Sequence, residues 1–274
     1  MAYKIIYTSD LHGHRELYKL LLNKAESENT RAIVIGGDLC PMRGSSFQEK
    51  IEHQKFFLGE FLIPLFKEFK GKNRKNELYL IMGNDDFRVN LNILEDADKN
   101  GVLKSKHKKS LMLDNGYCIA GYSFVNPTPF RLKDWEKPDL EGEKPPQQLF
   151  NEEIRTMEAE QGTIQQDLEE LRKLSNPKKT IYVVHAPPYN SKLDMVGSGI
   201  HVGSKAVRNF IEKEQPRMTL HGHIHESPKM SGSWMDKIGK AVCINVGSNI
   251  PKERLNCVVI NADNLDDIRY FELE

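Results

Sequence analysis

Leu220-His221-Gly222-His223-Ile224-His225-Glu226 places three imidazoles at alternate positions within seven residues. Alternate side chains of an extended segment leave the backbone on the same side, so His221, His223 and His225 can converge. Neutral imidazole is a common ligand for transition metals, and three of them make a poor core. A short histidine-rich tract also fits a polar surface loop. If the tract is a metal site, the remaining ligands must come from elsewhere in the chain.

Working outward, Met218–Leu220 is a short apolar strand leading into the tract, and Thr180–Val184 is a buried strand ending at His185-Ala186-Pro187-Pro188. After it come a loop with Gly197, Gly199 and His201, and a helix through Ala206, Val207, Phe210 and Ile211. Downstream, Lys240–Asn245 reads as a strand closed by Val246-Gly247-Ser248-Asn249, and Cys257–Ile260 and Ile268–Leu273 as an antiparallel finish. The same punctuation opens the chain. The strand Lys4–Ser9 stops at Asp10-Leu11-His12-Gly13-His14, before a helix through Leu17, Leu20, Leu21 and Ala25. Ala32–Ile35 ends at Gly36-Gly37-Asp38, and Phe47–Phe69 is helical with a kink expected at Pro64. Leu78–Met82 ends at Gly83-Asn84-Asp85-Asp86, with a short helix over Leu91–Ala97. Ser110–Leu113 and Tyr117–Gly121 flank a hairpin turn at Asp114-Asn115-Gly116. Strands alternating with helices predict a layered α/β fold, whose functional face gathers after strand C-terminal ends.

The 274 residues carry 39 basic and 39 acidic side chains, so no global charge favours nucleic acid or an acidic membrane as partner. No apolar run approaches a membrane span or a secretory leader, and a cytoplasmic location is expected. Cys40, Cys118, Cys243 and Cys257 are dispersed without CxxC spacing and read as reduced packing residues. The expectation is one domain over 1–274 with an insertion at about 126–177. Its first part is rich in Pro, Gly and charge, and Gln147–Leu174 reads as one long helix. Phe150, Ile154, Met157, Ile164, Leu168 and Leu171 follow a heptad-like spacing, which suits either an amphipathic helix lying on the domain or a seam for a homo-oligomer.

Asp10/His12, Asp38, Asn84, His185 and His223/His225 thus sit after five predicted strands, and their joint order carries more than any one of them. SDLHG, GGDLC, GNDD, VVHAPP and HGHIH resemble the ordered motifs of the calcineurin-like metallophosphoesterase superfamily over nearly the whole chain outside the insertion. The resemblance implies a four-layered α/β/β/α sandwich with a helical insertion and a dinuclear metal centre. Asp10, His12 and His225 would then hold one metal, Asn84, His185 and His223 the other, and Asp38 would bridge them. Carboxylate and imidazole suit two divalent ions of Mn, Fe or Zn character. The implied activity is hydrolysis of a phosphodiester or phosphomonoester by a hydroxide shared between the metals.

One motif departs from the family. Asp85 stands where the family has a histidine after the asparagine, so proton donation falls to Asp85 aided by Asp86, or to His14 or His201. Arg43 and Arg88 are candidates to clamp the phosphate of the substrate ester. Asn245, Gly247 and Ser248 resemble the family's closing loop, His221 reads as a support for the ligands, and His53 and His107 as exposed bystanders. The alternative reading is a degenerate scaffold that binds metal or a protein partner without turnover. Metal storage by the histidines would leave Asp38 and Asn84 unexplained.

Overall fold

A computed structural model describes residues 2–144, 146, 149 and 152–274. In chain order the first half runs Lys4–Thr8 (β1), Arg15–Ser27 (α1), Ala32–Ile35 (β2), Phe47–Phe56 (α2), Ile63–Lys72 (α3), Glu77–Leu80 (β3), Leu91–Lys99 (α4) and Lys104–Ser105 (β4). The second half runs Lys109–Met112 (β5), Cys118–Tyr122 (β6), Ile164–Leu171 (α5), Thr180–Val184 (β7), Lys205–Glu214 (α6), Met218–His221 (β8) and Ser227–Ser231 (α7). It closes with Met235–Ile238 (β9), Ala241–Asn245 (β10), Leu255–Asn261 (β11) and Ile268–Leu273 (β12).

These strands form two six-stranded mixed sheets, ordered β12-β11-β1-β2-β3-β4 and β5-β6-β7-β8-β10-β9. Side-chain alternation explains why they stack. Along β1, Ile5 and Tyr7 join Val34, Ile119, Ile181, Val183, Leu220 and Ile244 in one core between the sheets, while Ile6 faces the other way. Ile6, Ile33 and Leu80 pack outward with α1, α3 and α4, and Tyr122, Tyr182 and Val184 with α5 and α6. Strands buried on both faces read as continuous apolar runs, which is how they appear in the sequence. The α/β/β/α layering expected from the motifs is the architecture observed.

The kink expected at Pro64 takes a specific form. The helix from Phe47 continues to Lys72, with a π-helical segment at Phe57–Leu62 just before the proline. Pro64 has no N–H to donate, and the widened turn absorbs the mismatch. The strand β9, the two-residue edge strand β4 and the helix α7 are too short to show a period, and no sequence signal marks them.

The long helix expected over Gln147–Leu174 is not formed among the described residues, and Phe150 lies outside them. The helix is α5, Ile164–Leu171, with a single 3-10 turn after it. Gly162 (φ +84°) precedes Thr163, which caps α5 in a reciprocal box: its hydroxyl accepts from Gln166 N–H, and the Gln166 side chain accepts from Thr163 N–H. A left-handed glycine followed by a capping box starts a helix and cannot continue one. Upstream, Ile154 pairs with Leu132 in a bridge, and Met157 is exposed. Ile164, Leu168 and Leu171 are buried against the body beside α6, so they offer no free seam. Thr163→Ala should lower stability by about 1 kcal/mol, the usual value of such a cap. A urea midpoint that does not move would show that the box contributes nothing.

The four cysteines are unpaired, three of them buried. Among the described residues no helix is long and apolar enough to cross a membrane.

Candidate metal centre

The loops that follow β1, β2, β3, β7 and β8 converge on one point. Asp10, His12, Asp38 and His225 each present a ligand atom within 4.8 Å of the others. His12 Nε2 and His225 Nε2 are 3.1 Å apart, and His225 Nε2 lies 3.4 Å from Asp10 Oδ1. On the other side of Asp38, His185 Nε2 stands 3.5 Å from its Oδ1 and 3.1 Å from Asn84 Oδ1, which also meets His223 Nδ1 at 2.5 Å. All seven residues singled out as ligands are therefore in one cluster, with Asp38 between the two halves.

The backbone is bent to bring them there. Among the described residues nine non-glycine positions have positive φ, and four of these are Asp10, His12, Asp38 and His223. Left-handed non-glycine conformations cost of order 1–3 kcal/mol each and persist where surrounding contacts enforce them. Two glycines allow the close approach: a Cβ at Gly83 would fall on the Asp38 carboxylate, and one at Gly222 on Ser9 and Asp10.

Burial penalises both carboxylates, yet both stay ionised. At Asp38 the charges and contacts of His185 and His12 outweigh that penalty and hold it well below the usual range; at Asp10, His225 and His185 do the same. Burial lowers the two histidines, but the carboxylates overcome it and push His185 and His225 up to about 9. Desolvation, then the neighbouring His185, pushes half-buried His223 down to about 3.

The donor set fits divalent cations. Asp10 Oδ2 is buried without a hydrogen-bond partner among the described residues, and two imidazole nitrogens face each other across 3.1 Å, where only a proton or a cation stabilises both lone pairs. His185 Nδ1 donates to Gly36 O at 2.7 Å, which leaves Nε2 free to coordinate. Two anionic carboxylates, one amide oxygen and four imidazoles are acceptable to Mn, Fe or Zn.

A model of the calcineurin-like phosphoesterase family matches residues 3–227. The chain belongs to that family. Solved structures share the fold: TT1561 of Thermus thermophilus superposes with a TM-score of 0.65 at 13% identity over all of both chains. The calcineurin-like phosphoesterase YfkN from Bacillus subtilis gives 0.50 at 15% identity over 99% of this chain and 90% of that one. The uncharacterized protein MJ1162 of Methanocaldococcus jannaschii is 43% identical over 76 residues, 26% of this chain and about a third (33%) of that relative's length.

The residues around the family cluster divide sharply. Asp85 lines a cavity of about 1110 Å³ that also touches Asp38, Asn84, His223 and His225, and His201 lines the same cavity. Burial, then repulsion from Asp38, pushes Asp85 up to about 6. His201 Nδ1 sits 2.7 Å from Asp194 Oδ1, and Asp194, fully buried, is fixed by backbone N–H groups of Asn190, Ser191 and Gly203.

Four other expectations meet a different environment. Asp86 is fully buried and accepts from the backbone N–H of Gly83, Leu39 and Cys40, which ties the Asn84 loop to the Asp38 loop. It does not line the cavity. His14, at the start of α1, faces Glu253 at 3.5 Å and lies outside the cavity lining. Arg88 is ion-paired with Glu160 and sits over the rings of Phe124 and Trp135, so its guanidinium braces the insertion. Arg43 is exposed, outside the cavity lining, and its carbonyl is engaged by His53 Nδ1. A phosphate in the cavity meets neither arginine.

His221 is buried with Nδ1 2.9 Å from the Val184 and Ala186 carbonyls and Nε2 2.7 Å from Thr219 Oγ1, while Tyr7 Oη donates to the His221 carbonyl at 2.6 Å. Asn245 Nδ2 donates to the Leu193, Gly222 and Ile224 carbonyls, which holds the His223 turn, and Ser248 Oγ donates to Asp10 O. His107 is half-buried, contrary to the exposed position expected, and is packed against Tyr122, Phe124 and Trp135. Gln54 is a supporting residue that no sequence signal marks. Fully buried on α2, it donates from Nε2 to Asp85 O and accepts at Oε1 from Phe87 N–H, both at 2.8 Å.

Proposed function

We propose that the protein is a dinuclear metal-dependent phosphoesterase of the cytoplasm that hydrolyses a phosphodiester, or a phosphomonoester, with Mn, Fe or Zn as the ions. The observation that carries this is the seven-residue cluster divided by Asp38. In this reading Asp10, His12 and His225 would hold one ion and Asn84, His185 and His223 the other, with Asp38 placed to serve both. When bound, such ions supply an activated water and stabilise phosphoryl charge. The chain contributes the rest. Asp10 and Asp38 set the charge of the site, the Gly36 carbonyl fixes the tautomer of His185, and Asp86 with Gln54 keeps Asn84 and Asp85 at the cavity wall.

Proton delivery to the departing oxygen falls to His201. Asp85 is a carboxylate beside the proposed cations, which favour its ionised form, so near pH 7 it is a weak donor. His201 lines the cavity with Nδ1 anchored on a buried carboxylate, which leaves the other ring nitrogen to exchange a proton. His201→Gln should leave turnover of a p-nitrophenyl ester, whose leaving group needs no proton, within a few-fold, and slow an alkyl ester by about 10²–10⁴-fold. An equal fall for both esters would remove His201 from this role.

The test of the function itself is metal analysis followed by hydrolysis of paired mono- and diesters. About two divalent ions per chain are expected. Chelation should abolish turnover and Mn should restore it. A protein that binds metal but turns over no ester under any of these conditions would be the scaffold of the alternative reading.

A further inference from the structure

The cavity beside the ligand cluster is much larger than a phosphate requires. At about 1110 Å³ it lies at the upper edge of small-molecule sites, and the ligand cluster supplies only part of its lining. Beyond that cluster its lining includes the first stretch of the insertion, through Asn126 and Phe130, and the loop after β7 from Tyr189 to Lys205, together with charged side chains such as Lys133, Glu136 and Lys137. Pro127 and Pro129 stiffen the first wall. Two rings stand in this arm with much of their surface uncovered, Phe130 at 54% exposure and Tyr189 at 37%.

Tyr189 is held in place. Its N–H donates to Ser204 O at 2.9 Å, its ring meets His201 edge-on at 6.3 Å, and Lys205 Nζ lies 5.7 Å from its centroid. Asn126 is fixed on the same segment: Nδ2 donates to Val202 O at 3.0 Å, which orients the amide and leaves its buried Oδ1 without a partner among the described residues. Residues 202–204 therefore anchor an open aromatic ring and an unsatisfied acceptor. Both are unfavourable in the free protein, and a ligand relieves them together only if it covers a ring and donates a hydrogen bond.

We propose that this arm seats the organic group of the ester and that the group is a flat aromatic or heteroaromatic ring carrying a hydrogen-bond donor. Tyr189 and Phe130 cover the ring, and Asn126 Oδ1 accepts from the donor. The proposal rests on the phosphoesterase reading for the anionic end of the ligand. Simple alkyl esters satisfy neither feature.

Calorimetric titration of the full chain with Mn tests it, using three phosphonates that cannot be hydrolysed: propylphosphonate, 3-phenylpropylphosphonate and 3-(4-hydroxyphenyl)propylphosphonate. The phenyl ligand should bind about tenfold tighter than the propyl, and the hydroxyl should add roughly another three- to tenfold. Tyr189→Ala should collapse the first ratio and leave propylphosphonate unchanged, whereas Asn126→Leu should remove only the hydroxyl increment. Equal affinities of the propyl and phenyl ligands, a Tyr189→Ala loss shared equally by both, or no binding of any of the three would overturn the proposal. Ester turnover is measured separately. Ring selectivity without hydrolysis leaves the arm standing and removes the hydrolase, and hydrolysis without ring selectivity does the reverse.

Discussion

Asp38→Asn should reduce bound metal and slow ester hydrolysis by more than about 100-fold, because loss of a mere outer-shell partner already costs 10–100-fold. Asp38 lies between the two halves of the cluster, 3.5 Å from His185 and 3.8 Å from His12. Asparagine keeps the shape and can still accept the Asp85 N–H that Asp38 Oδ1 accepts at 2.8 Å, so the fold should survive. What it removes is the charge. With the carboxylate gone His185 loses the partner that holds it at about 9, and the site loses one of its two anionic oxygen donors. Metal content and kcat/KM should fall together, and the metal-free protein should still unfold cooperatively but at a lower midpoint, because the buried pair with His185 is broken. Hydrolysis within about tenfold of wild type would rule out a bridging role.

Asp86→Ala should be the most destabilising single change at the site, by about 3 kcal/mol or more, since it strands three buried N–H groups at about 1–3 kcal/mol each. The carboxylate that serves Gly83, Leu39 and Cys40 is fully buried, so water cannot take its place at those N–H groups. Burial, with repulsion from Asp38, pushes Asp86 up to about 7 against the pull of those three donors. The neutral substitution Asp86→Asn should therefore be milder than Asp86→Ala, since the amide retains one good acceptor. Denaturant unfolding of both variants decides the matter. If the alanine variant loses under about 1 kcal/mol, the two loops are held by something other than Asp86.

These two aspartates show how unevenly the site was legible. Asp38 stands after a buried strand and two glycines, a pattern visible without coordinates; Asn84 and His223 likewise follow a strand and a glycine, whereas Asp10 and His185 follow their strands without one. Asp86 stands in the same kind of loop beside Asp85. In one dimension Asp85 and Asp86 are equivalent acids, whereas the structure turns Asp86 inward as a backbone staple and leaves Asp85 at the cavity. Arg88 and Gln54 make the same point. An arginine near a ligand loop invites phosphate binding until Glu160, 72 residues away, is seen to occupy it. Gln54 resembles any polar residue on an exposed helix until its amide is found holding Asp85 and Phe87.

The single long helix expected in the insertion fails for a local reason that the sequence does contain. Gly162 followed by Thr163-Ile164-Gln165-Gln166 is a helix start, and a heptad-like count that runs through it joins two segments that the backbone separates. His201 requires more: its pairing with Asp194, seven positions earlier, closes a loop that no spacing rule marks.

By itself the sequence determined the α/β layering, the strand ends that carry the candidate ligands and the family to which the chain belongs, because alternation, buried apolar runs and turn residues are local and survive in one dimension. Only the tertiary structure decided which polar side chain faces the cavity and which is spent on backbone groups or ion pairs. That choice depends on partners brought from distant parts of the chain, and burial makes each such pairing all or nothing.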